Sequence, residues 1–456
     1  MLWLCCLTAC LLLASCEKGF LEEKPNKAKL IPETLSDFQK LLDNTYVMNI
    51  SPTLTVLAGD EFYSDAGSVN AFTTPMERGS YTWEKDRYEG QPVPDWSVPY
   101  NQIFYCNVVL EGLEKLPASE QSSASGKALK GSALFYRAFA YYQLAQIFCG
   151  PYQSATAASA QGLPLKLHAD INEKVVRSSL QDTYAHVLSD LGQALELVPL
   201  TVSYKNRPSR TACLSFLARV YQTMENYQQA EYYAGESLKI NSTLLDYNTL
   251  SETVTSTANP FQPGLPKGDE EMQFWQTLYV YSFFNRSLIV DSVLYRSYAA
   301  NDLRKTVHYV DRGKGVVNLK GFMGGSSGGF FGFANDELYL IRAECLARRG
   351  ETVLAMADLN TMLRSRFKTG SYVPLTAPDP VNALTLVLAE RRKSLVRRGT
   401  RWTDLKRLNL DPRFAVTLKR VWAARFTCSH QTTRGTSSPY RTMKSPAAGL
   451  NRTRSN

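Results

Sequence analysis

The chain has 456 residues, and 51 basic against 42 acidic side chains give it a net charge of +9. The excess is local: residues 423–456 carry six Lys or Arg and no acid, so the rest balances at 45 against 42, or +3. A nearly neutral body without a recognisable nucleic-acid module argues against a nucleic-acid binder, and the length suits one large domain or two ordinary ones.

The chain opens on an apolar run, Leu2 to Leu13, closed by Ala14, Ser15 and Cys16. This is the layout of a bacterial lipoprotein signal, too short to span a bilayer. Residues 1–15 are expected to be removed and Cys16 to carry lipid. Each buried methylene contributes about 0.8 kcal/mol, so several acyl chains anchor a protein almost permanently. No Lys or Arg precedes the run, which points to a start upstream of Met1 or a truncated front. No later stretch approaches ~18 consecutive apolar residues. Cys106, Cys149, Cys213, Cys345 and Cys428 are widely spaced, odd in number and free of CxxC pairs. They read as small core residues rather than as a disulfide framework or a zinc site.

Amphipathic helices dominate the body. In Lys127–Phe148 apolar residues recur at three- and four-residue steps, and Gly150-Pro151 stops the pattern. Residues 178–198 repeat it, with Ser178 or Ser179 as the cap and Pro199 at the end. Residues 209–240 predict a helical hairpin turning near Glu225-Asn226, and residues 335–366 predict another, with Gly350 at a helix C-cap. Small residues such as Ala230 and Ala357 fall where paired helices cross. The spacing is tetratricopeptide-like, with hairpins that stack on one another. Generic all-α hairpins are the plainer reading.

Two long irregular stretches interrupt the helices, 52–99 and 242–334, both rich in Tyr and Trp. Connections this long are usually functional. Aromatic faces beside amide and hydroxyl groups suit a sugar ring, whose C–H faces stack while its hydroxyls find polar partners; peptides fit the same chemistry. The candidate ligand residues are Tyr81, Trp83, Trp96 and Trp275, with Arg87 and Asn101 as polar partners. Trp83 leads, because the Tyr81–Arg87 segment has no helical apolar period to bury it. Trp96 and Asn101 open a segment where packing at a helix start is the other reading, and Trp275 equally suits a buried strand. The Tyr279–Arg286 stretch is next in line.

Nothing points to catalysis, a cofactor or a metal. The four histidines, His168, His186, His308 and His430, form no i,i+4 pair, and no nucleophile elbow or phosphate loop is present. Gly324–Gly329 matches neither glycine-rich phosphate motif. Asp60-Glu61 and Asp269-Glu270-Glu271 lie in the aromatic stretches, so a glycan-cleaving carboxylate pair is an alternative; a periplasmic helical-repeat scaffold is another.

The order of motifs resembles a known family. Behind Cys16 come FLEEKP (Phe20–Pro25), DWSVPYNQIFYCNVVLEGL (Asp95–Leu113), ALKGSALFYRAFAYYQLAQIFCGPY, DLGQALELVP, FLARVYQTMENYQQAEYYA and DELYLIRAECLARRG. Last is ERRKSLVRRGTRWTDLKRLN (Glu390–Asn409), similar to an ERR…G-RW-DLKR signature. The chain resembles the SusD/RagB nutrient-binding lipoproteins over roughly Cys16 to Arg420. The resemblance implies a mainly α fold, with tetratricopeptide-like hairpins packed against a loop-rich ligand-binding half. It further implies a protein anchored in the outer membrane and exposed at the cell surface, which captures oligosaccharide or peptide and passes it to a SusC-like TonB-dependent channel. Within the signature, Glu390, Arg391, Arg401, Asp404 and Arg407 are expected to form a structural charged network over Trp402.

Residues 16–422 are thus read as one SusD-like domain. Residues 423–456 lack acids and apolar periodicity, and the resemblance stops before them. They read as a disordered or frameshifted basic tail.

Overall fold

The computed structural model describes residues 32–64, 72–84, 87–250, 261, 267–284, 288–320, 329–422 and 425–430. The signal segment with Cys16, most of the glycine-rich run and residues 431–456 lie outside the described residues.

The fold is mainly α-helical. Its longer helices are α1 (Leu35–Leu42), α2 (Pro75–Thr82), α3 (Pro94–Glu114), α4 (Ala124–Phe148), α5 (Leu180–Leu197), α6 (Arg210–Thr223), α7 (Tyr227–Ile240), α8 (Asn335–Arg348), α9 (Thr352–Arg364), α10 (Pro380–Ser394) and α11 (Arg401–Leu408). Their ends follow local chemistry. Ser179 caps α5 by accepting the Asp182 N–H at 3.0 Å. Asn226 caps α7 after Glu225 turns the chain in the left-handed region. Gly350, at φ 93°, follows the end of α8, where only glycine adopts that angle without strain.

The helices pack in chain order: α3 on α4, α4 on α5, then the α6/α7 hairpin on the α8/α9 hairpin, with α10 against α8. Ala218, Ala230, Ala234, Ala343, Ala347 and Ala355 are all buried in one core, so the hairpin backbones approach closely. Ala357, expected at a crossing point, is exposed; Ala355, two residues earlier, faces the partner helix. A second core joins α3, α4 and α5 to the loops. It centres on Phe135, Phe139, Phe216, Phe274 and Phe333, with Phe135 and Phe274 at 4.7 Å and Phe216 and Phe333 at 5.2 Å.

The two irregular stretches fold against each other. Ile50–Ser51 pairs in parallel with Thr277–Leu278, and Phe62–Tyr63 pairs antiparallel with Ile289–Val290. Phe333–Ala334 pairs with Met272–Phe274 and leads directly into α8. A Cβ at Gly332 would lie 1.8 Å from the Phe274 carbonyl oxygen, so this approach tolerates only glycine. The stretch 52–99 is also less irregular than its sequence suggests. It contains α2 and the short helix Leu54–Ala58.

The strand Leu418–Trp422 ties into the loop half through Arg420. Its buried guanidinium donates to the carbonyls of Leu57, Gly59 and Phe62. It also lies over the rings of Tyr81 at 4.4 Å and Trp83 at 5.2 Å. Arg425–His430, placed by sequence in a disordered tail, forms a strand antiparallel to Leu418–Trp422. Among the described residues no helix is long and apolar enough to cross a membrane.

Candidate functional site

The signature segment meets the first turns of α8. Asp336, Glu337 and Glu344 on α8 are buried, and each is held by arginine. Arg219 of α6 binds Glu337 through Nε at 2.8 Å and Nη2 at 2.5 Å. Arg398 binds Asp336 at 2.6 Å, and Arg407 binds Glu344 through two bonds of 2.6 and 2.8 Å. Asp404 is shared by Arg391 at 2.8 Å and Arg407 at 2.9 Å. Arg401 reaches Asp60 in the first irregular stretch at 2.6 Å, and Glu390 accepts from Arg304 in the second at 2.7 Å. Trp402 is buried beside this network. Burial would push Glu344 up, but Arg407 and then Arg348 overcome it and hold the carboxyl at about 2. Lys406, not singled out from sequence, donates at 2.9 Å to the carbonyls of Gln146 and Cys149, where a cation suits the carboxyl end of α4. Its own burial lowers its amine to about 8. Every charge here faces a structural partner, so the network is a clamp between halves rather than a reactive centre.

The loop half offers the surface. Asp95, in the first turn of α3, accepts the N–H groups of Thr53 and Leu54 at 3.1 and 2.8 Å and the Tyr281 hydroxyl at 3.0 Å. Burial raises this carboxyl to about 6 despite those donors. One side chain therefore binds both irregular stretches to the start of α3. Around it lies an aromatic seam. Tyr279 and Tyr281 are 4.8 Å apart, Trp96 and Tyr100 are 4.8 Å apart, and the Arg177 guanidinium lies 5.9 Å from the Trp96 ring. Tyr279 and Tyr100 are half-buried, and Asn101 is exposed.

The sequence-chosen ligand residues do not converge. Tyr81, Trp83 and Arg87 are buried, not exposed stacking partners. The reason is α2: Thr74 and Glu77 form a reciprocal capping box that starts a helix, and Trp83 ends it in the left-handed region at φ 56°. The Trp83 indole N–H then donates to Ala58 at 3.1 Å, and the Tyr81 hydroxyl accepts from the Ser64 N–H at 3.0 Å. Trp96 is also buried, edge-on to Phe148 at 4.8 Å. Asn101 is exposed on the same helix. Trp275 is half-buried elsewhere, packed on the cluster around Tyr247 and Phe261. Tyr279 lies in the stretch ranked next by sequence; Asp95 and Arg177 were not singled out. Asp95 carried one signal, an acid in the first turn of a helix that begins with proline.

Two family models match this chain. One, described as "Starch-binding associating with outer membrane", matches residues 19–222, and the other, described as "SusD family", matches residues 336–451. The chain belongs to the SusD/RagB family. The second match runs well past Arg420, where the sequence resemblance was read to end. A curated SusD-like protein P2 from Formosa agariphila is 25% identical over 222 residues, 46% of this chain and 41% of that relative. A SusD superfamily protein from Bacteroides thetaiotaomicron shares the fold with a TM-score of 0.67 at 20% identity, covering 85% of this chain and 91% of its own. A SusD-like carbohydrate binding protein from Bacteroides vulgatus gives a TM-score of 0.60 at 19% identity, covering 87% and 89%. SusD-like proteins bind glycans and catalyse no reaction.

Two expectations follow for this SusD-family chain. Glu344 has a folded value near 2, below its unfolded value near 4.5, so its contribution is complete above pH 4.5 and lost as pH falls toward 2. That contribution is about 3 kcal/mol. Glu344→Gln should destabilise the protein at pH 7 by roughly 3–5 kcal/mol, and the gap should narrow below pH 4.5. Urea melts of both proteins across pH 2–7 measure it; a gap independent of pH contradicts the assignment. Trp83→Ala should lower stability by roughly 3–5 kcal/mol, seen as a large drop in melting temperature. An unchanged melt would place Trp83 outside the core.

Proposed function

We propose that this protein is a lipid-anchored receptor at the cell surface that captures oligosaccharides and hands them to a SusC-like TonB-dependent channel in the outer membrane. The observation that carries the reading is the aromatic seam at Asp95, where two stretches over 180 residues apart in sequence meet, with Tyr279 and Tyr100 half-buried. Such a surface stacks on the C–H face of a sugar and leaves polar groups for its hydroxyls. Membership in a glycan-binding family favours oligosaccharide over peptide. Cys16 is the proposed anchor, and the helical hairpins the proposed face toward the channel. This reading is preferred to a periplasmic scaffold because a scaffold needs no aromatic seam on its loop half.

Affinity electrophoresis of the mature protein through gels carrying individual polysaccharides tests this directly. One glycan should retard the protein, with no shortening of the chain on prolonged incubation. Tyr279→Ala should then weaken binding roughly tenfold, about 1.4 kcal/mol, at unchanged melting temperature. Full affinity in that variant moves the site off the seam. Failure to bind any glycan, with retention by peptides, reassigns the ligand class.

A further inference from the structure

One cation of the aromatic seam has no carboxylate. Arg177 opens the strand Arg177–Ser179, opposite Pro164 of the strand Gln161–Pro164. Tyr100 donates its hydroxyl to the Pro164 carbonyl at 2.8 Å, and its ring lies 4.8 Å from Trp96. The Arg177 guanidinium, 5.9 Å from the Trp96 ring, therefore belongs to the same corner of the seam. The side chain is half-buried, and its Nη1 donates to the Gly162 carbonyl at 2.9 Å. Nε and Nη2 have no hydrogen-bond partner among the described residues, and neither atom is sealed from solvent.

The Nε–Nη2 edge is the side of a guanidinium that matches a carboxylate, two N–H groups aimed at two oxygens. Elsewhere in this chain the edge is filled in that way. Arg137, Arg207, Arg219, Arg342, Arg349 and Arg401 each give Nε to one oxygen of an Asp or Glu and Nη2 to the other. At Arg177 the edge is intact and the acid is missing. Asp95, the carboxylate of the seam, does not supply it, because it is buried with both oxygens engaged by Thr53, Leu54 and Tyr281. A neutral sugar hydroxyl accepts from this edge without compensating its charge. A carboxylate accepts from both donors and neutralises the cation, and such charge-assisted bonds are the stronger ones. We propose that the Nε–Nη2 edge of Arg177 receives the carboxylate of a uronic acid, so that the seam selects acidic oligosaccharides. The inference rests on the seam being the glycan site; Tyr279 offers the stacking ring there, and Arg177 reads the acid.

Uronate polymers and their methyl esters test the proposal, because each pair shares a backbone and differs in charge. In affinity electrophoresis, polygalacturonate or alginate should retard the mature protein, and the matching methyl ester should not. Arg177→Gln should weaken uronate binding roughly ten- to a hundredfold, and added salt should weaken it in the unsubstituted protein. Arg177→Lys, which keeps the charge and loses the fork, should recover only part of the affinity. Equal retention by acid and ester overturns the proposal, as does full uronate affinity in Arg177→Gln. Stronger retention by the sulfated polymer carrageenan than by either uronate overturns the carboxylate assignment, and retention by polyglutamate alone overturns the sugar. A neutral glycan whose binding needs Tyr279 but not Arg177 overturns this inference and leaves the seam reading standing. Failure to bind any glycan removes both. If Arg177→Gln does not fold, the comparison of acid with ester on the unsubstituted protein decides.

Discussion

Glu337 is the carboxylate on which the architecture turns. It is buried at the first turn of α8, one residue after Asp336. Unpaired, each would be a charge in a medium that cannot solvate it, so the chain must deliver cations to that point. It does so from distant segments: Arg219 from α6, with Arg391 and Arg398 from the signature segment at 3.6 and 3.8 Å. The acids also face the favourable end of the helix dipole. Because Phe333–Ala334 pairs with Met272–Phe274 just before α8, fixing the start of this helix fixes the loop half as well.

That coupling bears on binding. A surface of loops loses affinity if the loops must be ordered when ligand arrives. Here the ordering is done by the fold. Asp95 joins Thr53, Leu54 and Tyr281, Glu77 accepts from the Ser282 hydroxyl and the Phe283 N–H, and Arg420 gathers three carbonyls of the first stretch. Tyr279 is therefore carried on a strand end rather than on a free loop. Its backbone carbonyl accepts from Thr53 at 2.6 Å. The helical half supplies rigidity through stacked alanine-lined hairpins, and the signature segment transmits it.

The long helices were legible because each carried an apolar period and a cap or stop, as Ser179 and Gly350 show. The signature residues were legible as a network but not by partner: Asp60, Arg304 and Glu344 lie far away in sequence, and spacing says nothing about such contacts. Tyr81, Trp83 and Arg87 are buried where the sequence reading had them exposed, and the reason is local. The alternation of aromatic and polar residues around Trp83 hid a helix only eight residues long, too short to show a period, whose signs were the Thr74/Glu77 capping box and Pro75 at its first position. Trp83 then turns back into the core at an angle that bulky residues rarely adopt. The strand Arg425–His430 was hidden by composition, because pairing with Leu418–Trp422 uses the backbone and leaves no apolar pattern to read.

Native-state hydrogen exchange of Glu337→Gln, compared with the unsubstituted protein, tests most directly whether the α8 clamp holds the loop half. Loss of protection should spread beyond α8 to the amides of Met272–Phe274, Thr277–Leu278 and Tyr279, all falling toward one common opening free energy. Loss confined to α8 and α6, with the loop ladders protected as before, would contradict the account.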